Sequence, residues 1–246
     1  MILSSFNIRG LGGDSKFLAL KHAFAVIKPE IVFIQETMAD YARACHYFRK
    51  LFPGWEVCAV DSQGHTGGLL CIWNPTLCDF VSYSTIASIV LEGGIRGINK
   101  RAVLLNFYAP YKDRERNLII GGDLNFTVSP FEVWGSKRAD PLASFFKEVF
   151  QSVGLEDISP FPLEPTWRNG CNGKDGVAKR LDRFYVSDHL LEMLGKYQSW
   201  NYNSGVSDHI PICFKFLSDN NVGNHPFKFD HNWLCNEDFQ NLVRDS

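Results

Sequence analysis

No stretch of this 246-residue chain approaches the roughly 18 consecutive apolar residues that a membrane-spanning helix needs. The opening segment, Met1-Ile2-Leu3-Ser4-Ser5-Phe6-Asn7, has no positive charge ahead of an apolar run, so it does not read as a secretory signal. It reads instead as a strand that begins almost at the first residue. Paired cysteine motifs are missing too. The seven cysteines are scattered, odd in number and free of any CxxC spacing, which argues against zinc frameworks and disulfide scaffolds. Reduced, mostly buried thiols in a nuclear or cytoplasmic, non-secreted protein are expected. Repeats and low-complexity segments are absent. Strong basic charge is also lacking, since the formal net charge of −2 is unlike that of many free-standing DNA-binding domains. That charge is uneven, however. Between Arg168 and Arg183 lie five basic residues (Arg168, Lys174, Lys179, Arg180 and Arg183) against the acids Asp175 and Asp182. Such a loop can meet phosphates on a slightly acidic protein, and it can equally be a solvated face.

What is present is a series of short apolar segments with a few helical patterns between them. Ile2–Phe6 reads as a strand, and Gly10, Gly12 and Gly13 as a loop. Asp14 or Ser15 then caps a helix to about Lys28, which Pro29 ends. Ile31–Gln35 is a second strand and Tyr41–Leu51 a second helix. Trp55–Val60, Gly68–Trp73, Cys78–Tyr83, Ser88–Glu92 and Ala102–Phe107 follow at near ten-residue spacing, with Gly or Pro between, as sheet strands do. Leu118–Ile120 is a short strand and Pro141–Val153 an amphipathic helix. Leu181–Val186, Tyr197–Tyr202 and Ile210–Phe216 close the series. The mixture predicts a layered α/β sandwich rather than an all-β barrel, over residues 1–217. Residues 218–246 open on Ser218-Asp219-Asn220-Asn221 and read as a linker with a polar, aromatic-studded remainder.

One pattern carries chemistry. Apolar strands repeatedly stop at a single polar residue: Ile2–Phe6 at Asn7, Ile31–Gln35 at Glu36, Ala102–Phe107 at Tyr108, and Leu118–Gly122 at Asp123 with Asn125 two residues on. Asp208-His209 stands just before the last strand. Strand ends along one rim of a sheet are where α/β folds bind ligands. Glu36 offers a hard oxygen for Mg²⁺, and Asp123 can align or deprotonate a water. His209 can donate to a phosphate, its ring oriented by Asp208 or another carboxylate. Asn7, Asn125 and Tyr108 supply neutral hydrogen bonds. A second Ser-Asp-His tripeptide, Ser187-Asp188-His189, precedes Leu190-Leu191-Glu192-Met193-Leu194 and reads as a helix N-terminus rather than a site.

In order along the chain, Ser5-Phe6-Asn7-Ile8-Arg9-Gly10-Leu11, Ile34-Gln35-Glu36-Thr37, Tyr108-Ala109-Pro110, Gly121-Gly122-Asp123-Leu124-Asn125, Arg180-Leu181-Asp182-Arg183-Phe184 and Ser207-Asp208-His209 resemble the motifs of the endonuclease/exonuclease/phosphatase superfamily. Their flavour is that of plant LINE-type (non-LTR) retrotransposon endonucleases. Pro165-Thr166-Trp167-Arg168-Asn169-Gly170 and the tail from Phe227 to Phe239 are similar to that group as well. The resemblance covers nearly the whole chain. It implies a four-layered α/β sandwich of two packed mixed sheets flanked by helices, a metal ligand at Glu36, and phosphate or water positioning by Asn7, Tyr108, Asp123 and Asn125. It implies leaving-group or metal assistance at Asp182 and a His–Asp pair at His209 and Asp208. Mg²⁺, with Mn²⁺ as the alternative, is the implied cofactor and DNA the implied partner, with no membrane and no small-molecule cofactor. A reverse transcriptase is expected in the parent polyprotein and is not within these residues. Arg9 departs from branches that carry an acid at its position. Arg9, Thr166, Trp167, Arg168, Lys179 and Arg180 are the expected nucleic-acid contacts.

The first expectation is therefore a Mg²⁺-dependent phosphodiesterase, a retrotransposon-derived endonuclease that nicks DNA. An inactive relic, a phosphatase or deadenylase of the same superfamily, and a non-catalytic nucleic-acid binder are the alternatives. The relic is prompted by Tyr111–Arg116, where the superfamily has a crossover helix and this chain has six residues after Pro110. Parallel crossovers usually take a dozen residues or more. Either the flanking strands are not parallel neighbours or the helix has been lost, with distortion and lower stability expected.

Overall fold

The computed structural model describes residues 1–63, 66–85, 88–107, 117–135, 140–171, 173–203 and 205–216. The chain opens with β1 (Ile2–Asn7), α1 (Asp14–Ile27), β2 (Ile31–Gln35) and α2 (Tyr41–Leu51). Then come β3 (Glu56–Gln63), β4 (Thr66–Trp73), β5 (Val81–Ser84), β6 (Ser88–Gly93), β7 (Ala102–Phe107) and β8 (Asn117–Asp123). The second half contains β9 (Val133–Trp134), α3 (Ala143–Ser152), β10 (Leu155–Asp157), β11 (Trp167–Arg168) and β12 (Ala178–Lys179). It closes with β13 (Asp182–Ser187), α4 (Asp188–Leu194), β14 (Tyr197–Asn201) and β15 (Ile212–Phe216).

One six-stranded sheet runs β14-β15-β1-β2-β4-β3 and a second runs β10-β13-β8-β7-β6-β5, with a small β11-β12-β9 sheet at the side. Each large sheet is mixed: β1 and β2 are parallel in the first, β7 and β8 in the second, and the other pairs are antiparallel. Alternation along the strands explains the layers. Leu3, Ile31, Phe33, Leu104, Ile119, Phe184 and Phe214 face inward and form the core between the sheets. Phe6, Val32, Ile34 and Leu70 face the other way, where Leu20 and Phe24 of α1 and Phe48 of α2 cover them. On the far side, Val103, Leu105, Leu118 and Ile120 pack with Phe126, Phe146 and Phe150, the last two from α3. Helix, sheet, sheet and helix make the expected four layers. No helix among the described residues is long and apolar enough to cross a membrane.

Several boundaries differ from expectation. The N-cap of α1 is Gly13, with no side-chain cap, and Asp14 is the first helical residue. β8 runs on to Asp123 instead of ending at Ile120, because β13 pairs with it through Asp182↔Asp123. Cys78 makes only an isolated bridge to Ile95, and the strand begins at Val81. The last strand begins at Ile212, after Pro211, which has no N–H to give a ladder. Of the seven cysteines, the six among the described residues are all free thiols, and Cys45, Cys71, Cys78 and Cys213 are buried.

Of the alternatives for the short connection, the one in which its flanking strands are not parallel neighbours is overturned. β7 and β8 are parallel neighbours in continuous register from Ala102↔Asn117 to Asn106↔Gly121. The link must return along about five residues of strand, roughly 17 Å at about 3.3 Å per residue. Nine residues can span about 30 Å when extended, so strand pairing does not require a helix there. Tyr108 and the 111–116 segment themselves lie outside the described residues, as do the expected linker and tail from residue 217.

Candidate active site

The site continues the inward rows of the core to one edge. After Leu3 and Ser5 comes Asn7; after Ile31 and Phe33 comes Gln35; after Ile119 and Gly121 comes Asp123; and Phe184 is followed toward the same edge by Asp182. A side chain at Gly121 would collide with Phe184, its Cβ lying 2.6 Å from that ring, so the glycine lets the core close directly beneath the polar rim. Gln35 ties the sheets together: its amide nitrogen donates to Asn106 Oδ1 at 2.7 Å, and Asn106 Nδ2 donates to the carbonyls of Ile34 and Leu70. The two sheets therefore meet at a fixed spacing where the functional side chains begin.

Asp123 is almost wholly buried and both of its oxygens are held. Asn7 Nδ2 donates to Oδ2 at 3.0 Å, and the Asn125 backbone N–H donates to Oδ1 at 3.0 Å. Asn125 is exposed and left-handed, at φ 56°, which closes this tight Asx turn. Burial first, and then repulsion from Asp182, push the Asp123 carboxyl up to about 6. His209 is 2% exposed, and its Nδ1–H donates to Asp182 Oδ2 at 2.9 Å while Nε2 lies 3.8 Å from Asp123 Oδ2. Burial lowers the imidazole pKa, but the charges of Asp182, Asp123 and Asp208 outweigh it and the net shift is upward. Asp182 Oδ1 is buried with no hydrogen-bond partner among the described residues. The ligating atoms of Asp123, Asp182 and His209 lie within 4.8 Å of one another, a spacing that would suit a cation only where the imidazole had given up its proton.

The carboxylate that orients His209 is thus Asp182, and the expected pairing with Asp208 is corrected. Asp208 points elsewhere: its Oδ2 accepts from Trp167 Nε1 at 2.9 Å and is 2.9 Å from Arg9 Nη1. Asp182 gains the role because β13 pairs with β8 and sets it beside Asp123. Glu36 sits at the mouth, left-handed at φ 52°, with its carboxylate 4.0 Å from Arg9 Nε. Backbone bonds from Ile8 to Gln35, Gly10 to Glu36 and Leu11 to Thr37 fasten the two loops side by side. Tyr108 lies outside the described residues. His189 is exposed at the start of α4, 3.0 Å from Lys100 Nζ, away from this cluster.

The endonuclease/exonuclease/phosphatase family model matches residues 4–209, most of the chain and every motif of this rim. The chain belongs to that family. A protein of transposon TX1 from Xenopus laevis, described as uncharacterized and of 149 kDa, is 26% identical over 148 residues. That match takes in 58% of this chain and only 11% of the relative, so the chain spans a small part of that protein. The endonuclease domain of TRAS1, a telomere-specific non-LTR retrotransposon, superposes with a TM-score of 0.62 at 20% identity, covering 87% of this chain and 97% of that one. The Xenopus laevis APE2 catalytic domain superposes at 0.66 with 15% identity, over 88% and 91% of the two chains. At such identities the likeness is one of fold.

Two expected nucleic-acid contacts prove to be internal in this family member. Arg180 is 1% exposed and bonded to Glu132 Oε1 at 2.9 Å and to both oxygens of Asp157 at 2.6 and 2.7 Å. Arg183 joins the same carboxylates, giving a closed four-charge cluster that neutralises itself. Burial opposes the charges of Glu132 and Asp157, yet the two guanidinium groups hold both carboxyls below their ordinary range. Thr166 is fully buried, and its hydroxyl accepts the backbone N–H groups of Leu181 and Asp182, each at 2.9 Å. Its carbonyl accepts from Ile210 N, so Thr166 clips the Asp182 and His209 segments together. The half-buried Trp167 spends its indole N–H on Asp208. Arg168 is exposed and Lys179 half-buried on the neighbouring strands. Sequence reasoning missed Thr166 as a positioning residue, and it missed Gln35, Asn106, Glu132 and Asp157. Only Gln35 carried a signal, as the last inward position of β2.

Proposed function

We propose that this chain is a Mg²⁺-dependent DNA endonuclease of retrotransposon type, one that nicks a strand and leaves a 3′-hydroxyl. The observation that carries this reading is the two bonded pairs Asn7–Asp123 and Asp182–His209 side by side at the rim, with Asp123 pushed up to about 6. A base with that affinity keeps its charge at neutral pH and still takes a proton readily. Asn7 and the Asn125 N–H fix its two oxygens, so Asp123 accepts the proton of a water as that water attacks phosphorus. The P–O3′ bond breaks and the 3′ oxygen leaves as the hydroxyl, with a proton drawn from solvent. His209, kept protonated chiefly by Asp182, donates to a non-bridging oxygen as negative charge builds there.

The donor set suits a hard divalent cation. Glu36 presents a carboxylate at the mouth, and Asp182 Oδ1 is an oxygen left unpartnered among the described groups. Glu36 would hold Mg²⁺ or Mn²⁺, which supplies charge neutralisation at the phosphate. Tyr108 and Asn125 add neutral donors around the phosphate. Arg168 and Lys179, with the ring of Trp167, form the DNA approach. The TRAS1 neighbour, itself an endonuclease domain, supports the choice of DNA nicking among the family's reactions. The test is relaxation of supercoiled plasmid by the purified chain, followed by extension of the nick by a DNA polymerase. Extendable nicks are expected. Turnover of an inositol phosphate or an oligoadenylate in their place would overturn the assignment to DNA.

A further inference from the structure

The mouth of the site holds three charged groups, and their arrangement is unequal. Arg9 Nη1 lies 2.9 Å from Asp208 Oδ2, and Arg9 Nε lies 4.0 Å from Glu36 Oε2. A guanidinium is therefore inserted between two rim carboxylates that would otherwise repel each other and attract a cation. Its backbone is held as well: Arg9 is left-handed at φ 46°, its N–H donates to Asn7 Oδ1 at 3.1 Å, and the Lys16 ammonium donates to its carbonyl. The two carboxylates differ in what they have left to offer. Asp208 Oδ2 takes both Arg9 and the Trp167 indole N–H, and Oδ1 takes the Ser207 hydroxyl at 3.3 Å. Glu36 has a long ion-pair contact with Arg9.

We infer that Arg9 is a built-in cation that takes Asp208 out of the metal-binding set and limits the rim to a single divalent ion on the Glu36 side. The inference rests on the metal-dependent reading above and adds the number of ions and the residue that sets it. Arg9 is a positioning residue in this role: it acts through Asp208 and Glu36. Removing its charge leaves Asp208 held only by the single hydrogen bonds from Trp167 and Ser207, with lone pairs to spare, and creates a second site from residues already in place.

The measurement is Mn²⁺ binding to the full chain, read by electron paramagnetic resonance of the free ion without DNA. Wild type is expected to bind one Mn²⁺. Arg9→Gln is expected to bind two, the added ion disappearing in the Arg9→Gln, Asp208→Asn double variant. Arg9→Lys, which keeps a positive charge, is expected to stay at one. Arg9 is half exposed, so the substitutions leave the core untouched, and a melting curve of each variant checks it. One ion in both wild type and Arg9→Gln, or two already in wild type, overturns the role of Arg9 while leaving metal dependence intact. No ion in wild type contradicts the metal-dependent reading itself, and the inference falls with it.

Discussion

Thr166→Val removes one oxygen atom and keeps the shape of the side chain, which makes it a precise probe of how the rim is held. In the folded chain that oxygen accepts two buried backbone N–H groups, from Leu181 and Asp182, each at 2.9 Å. Valine leaves both donors without an acceptor in a position that is 0% exposed. An unsatisfied buried donor costs about 1–3 kcal/mol, so two cost about 3 kcal/mol or somewhat more. For a domain of this size that is a melting point lower by roughly 6–12 °C. Activity should fall further than stability accounts for. Asp182 is the next residue along, and its carboxylate orients His209. A displacement near 1 Å at a catalytic group costs on the order of 10²-fold in rate. Thermal melts and single-turnover nicking of wild type, Thr166→Val and Thr166→Ser decide the matter. Serine keeps the hydroxyl and should restore most of both quantities. A valine variant with the melting point of wild type but weakened DNA binding would refute the clip and return Thr166 to the DNA surface.

Glu36→Gln keeps the size of the side chain and removes its charge, so nicking should drop by about 10²-fold or more, on the order of 3 kcal/mol of barrier. Near-normal nicking at low Mg²⁺ would remove Glu36 from the site. His209→Ala should abolish turnover and His189→Ala should leave it nearly unchanged, since only His209 bonds to Asp182 and His189 is an exposed helix residue. The nicking rate should rise with pH through about 6, as Asp123 loses its proton, and fall on the alkaline side as His209 loses the proton its raised pKa retains. A flat pH–rate profile from 5 to 8 would exclude Asp123 as base. The same shift predicts a stability effect. A carboxyl raised from 3.8 to about 6 on folding is no burden below pH 4, and its destabilisation is complete above pH 6, at about 3 kcal/mol. Asp123→Asn should therefore melt higher than wild type at pH 8, less the loss of one acceptor, with little gain at pH 4, while nicking is lost.

Much of the fold was legible because its signals are local. Runs such as Ile31–Gln35 and Ala102–Phe107 are short, apolar and bounded by turn residues, and the structure has strands at those positions. The polar residues closing those runs were also visible, since a strand of period two that ends on Asn7 or Asp123 announces which face they continue. Pairing was not legible. Which carboxylate meets His209 depends on β13 lying antiparallel to β8, a contact between residues some sixty positions apart. The basic stretch from Arg168 to Arg183 misled for the same reason. Its charge suggested phosphates, but Glu132, just before β9, and Asp157, at the end of β10, pair with Arg180 and Arg183 inside the fold. The pairing of β7 with β8 was not legible either: so short a link left open whether the two strands are parallel neighbours, and the register shows that they are.

The claim that most needs a direct test is that Asp123 works as a base at a metal-dependent site. Purified wild type and Asp123→Asn should be incubated with supercoiled plasmid under Mg²⁺ titration and then under EDTA. The account predicts nicked circles from wild type that increase with Mg²⁺ and cease with EDTA, and at least a 10²-fold slower reaction from Asp123→Asn. Nicking that persists in EDTA, or an Asp123→Asn variant that cuts as fast as wild type, would contradict it.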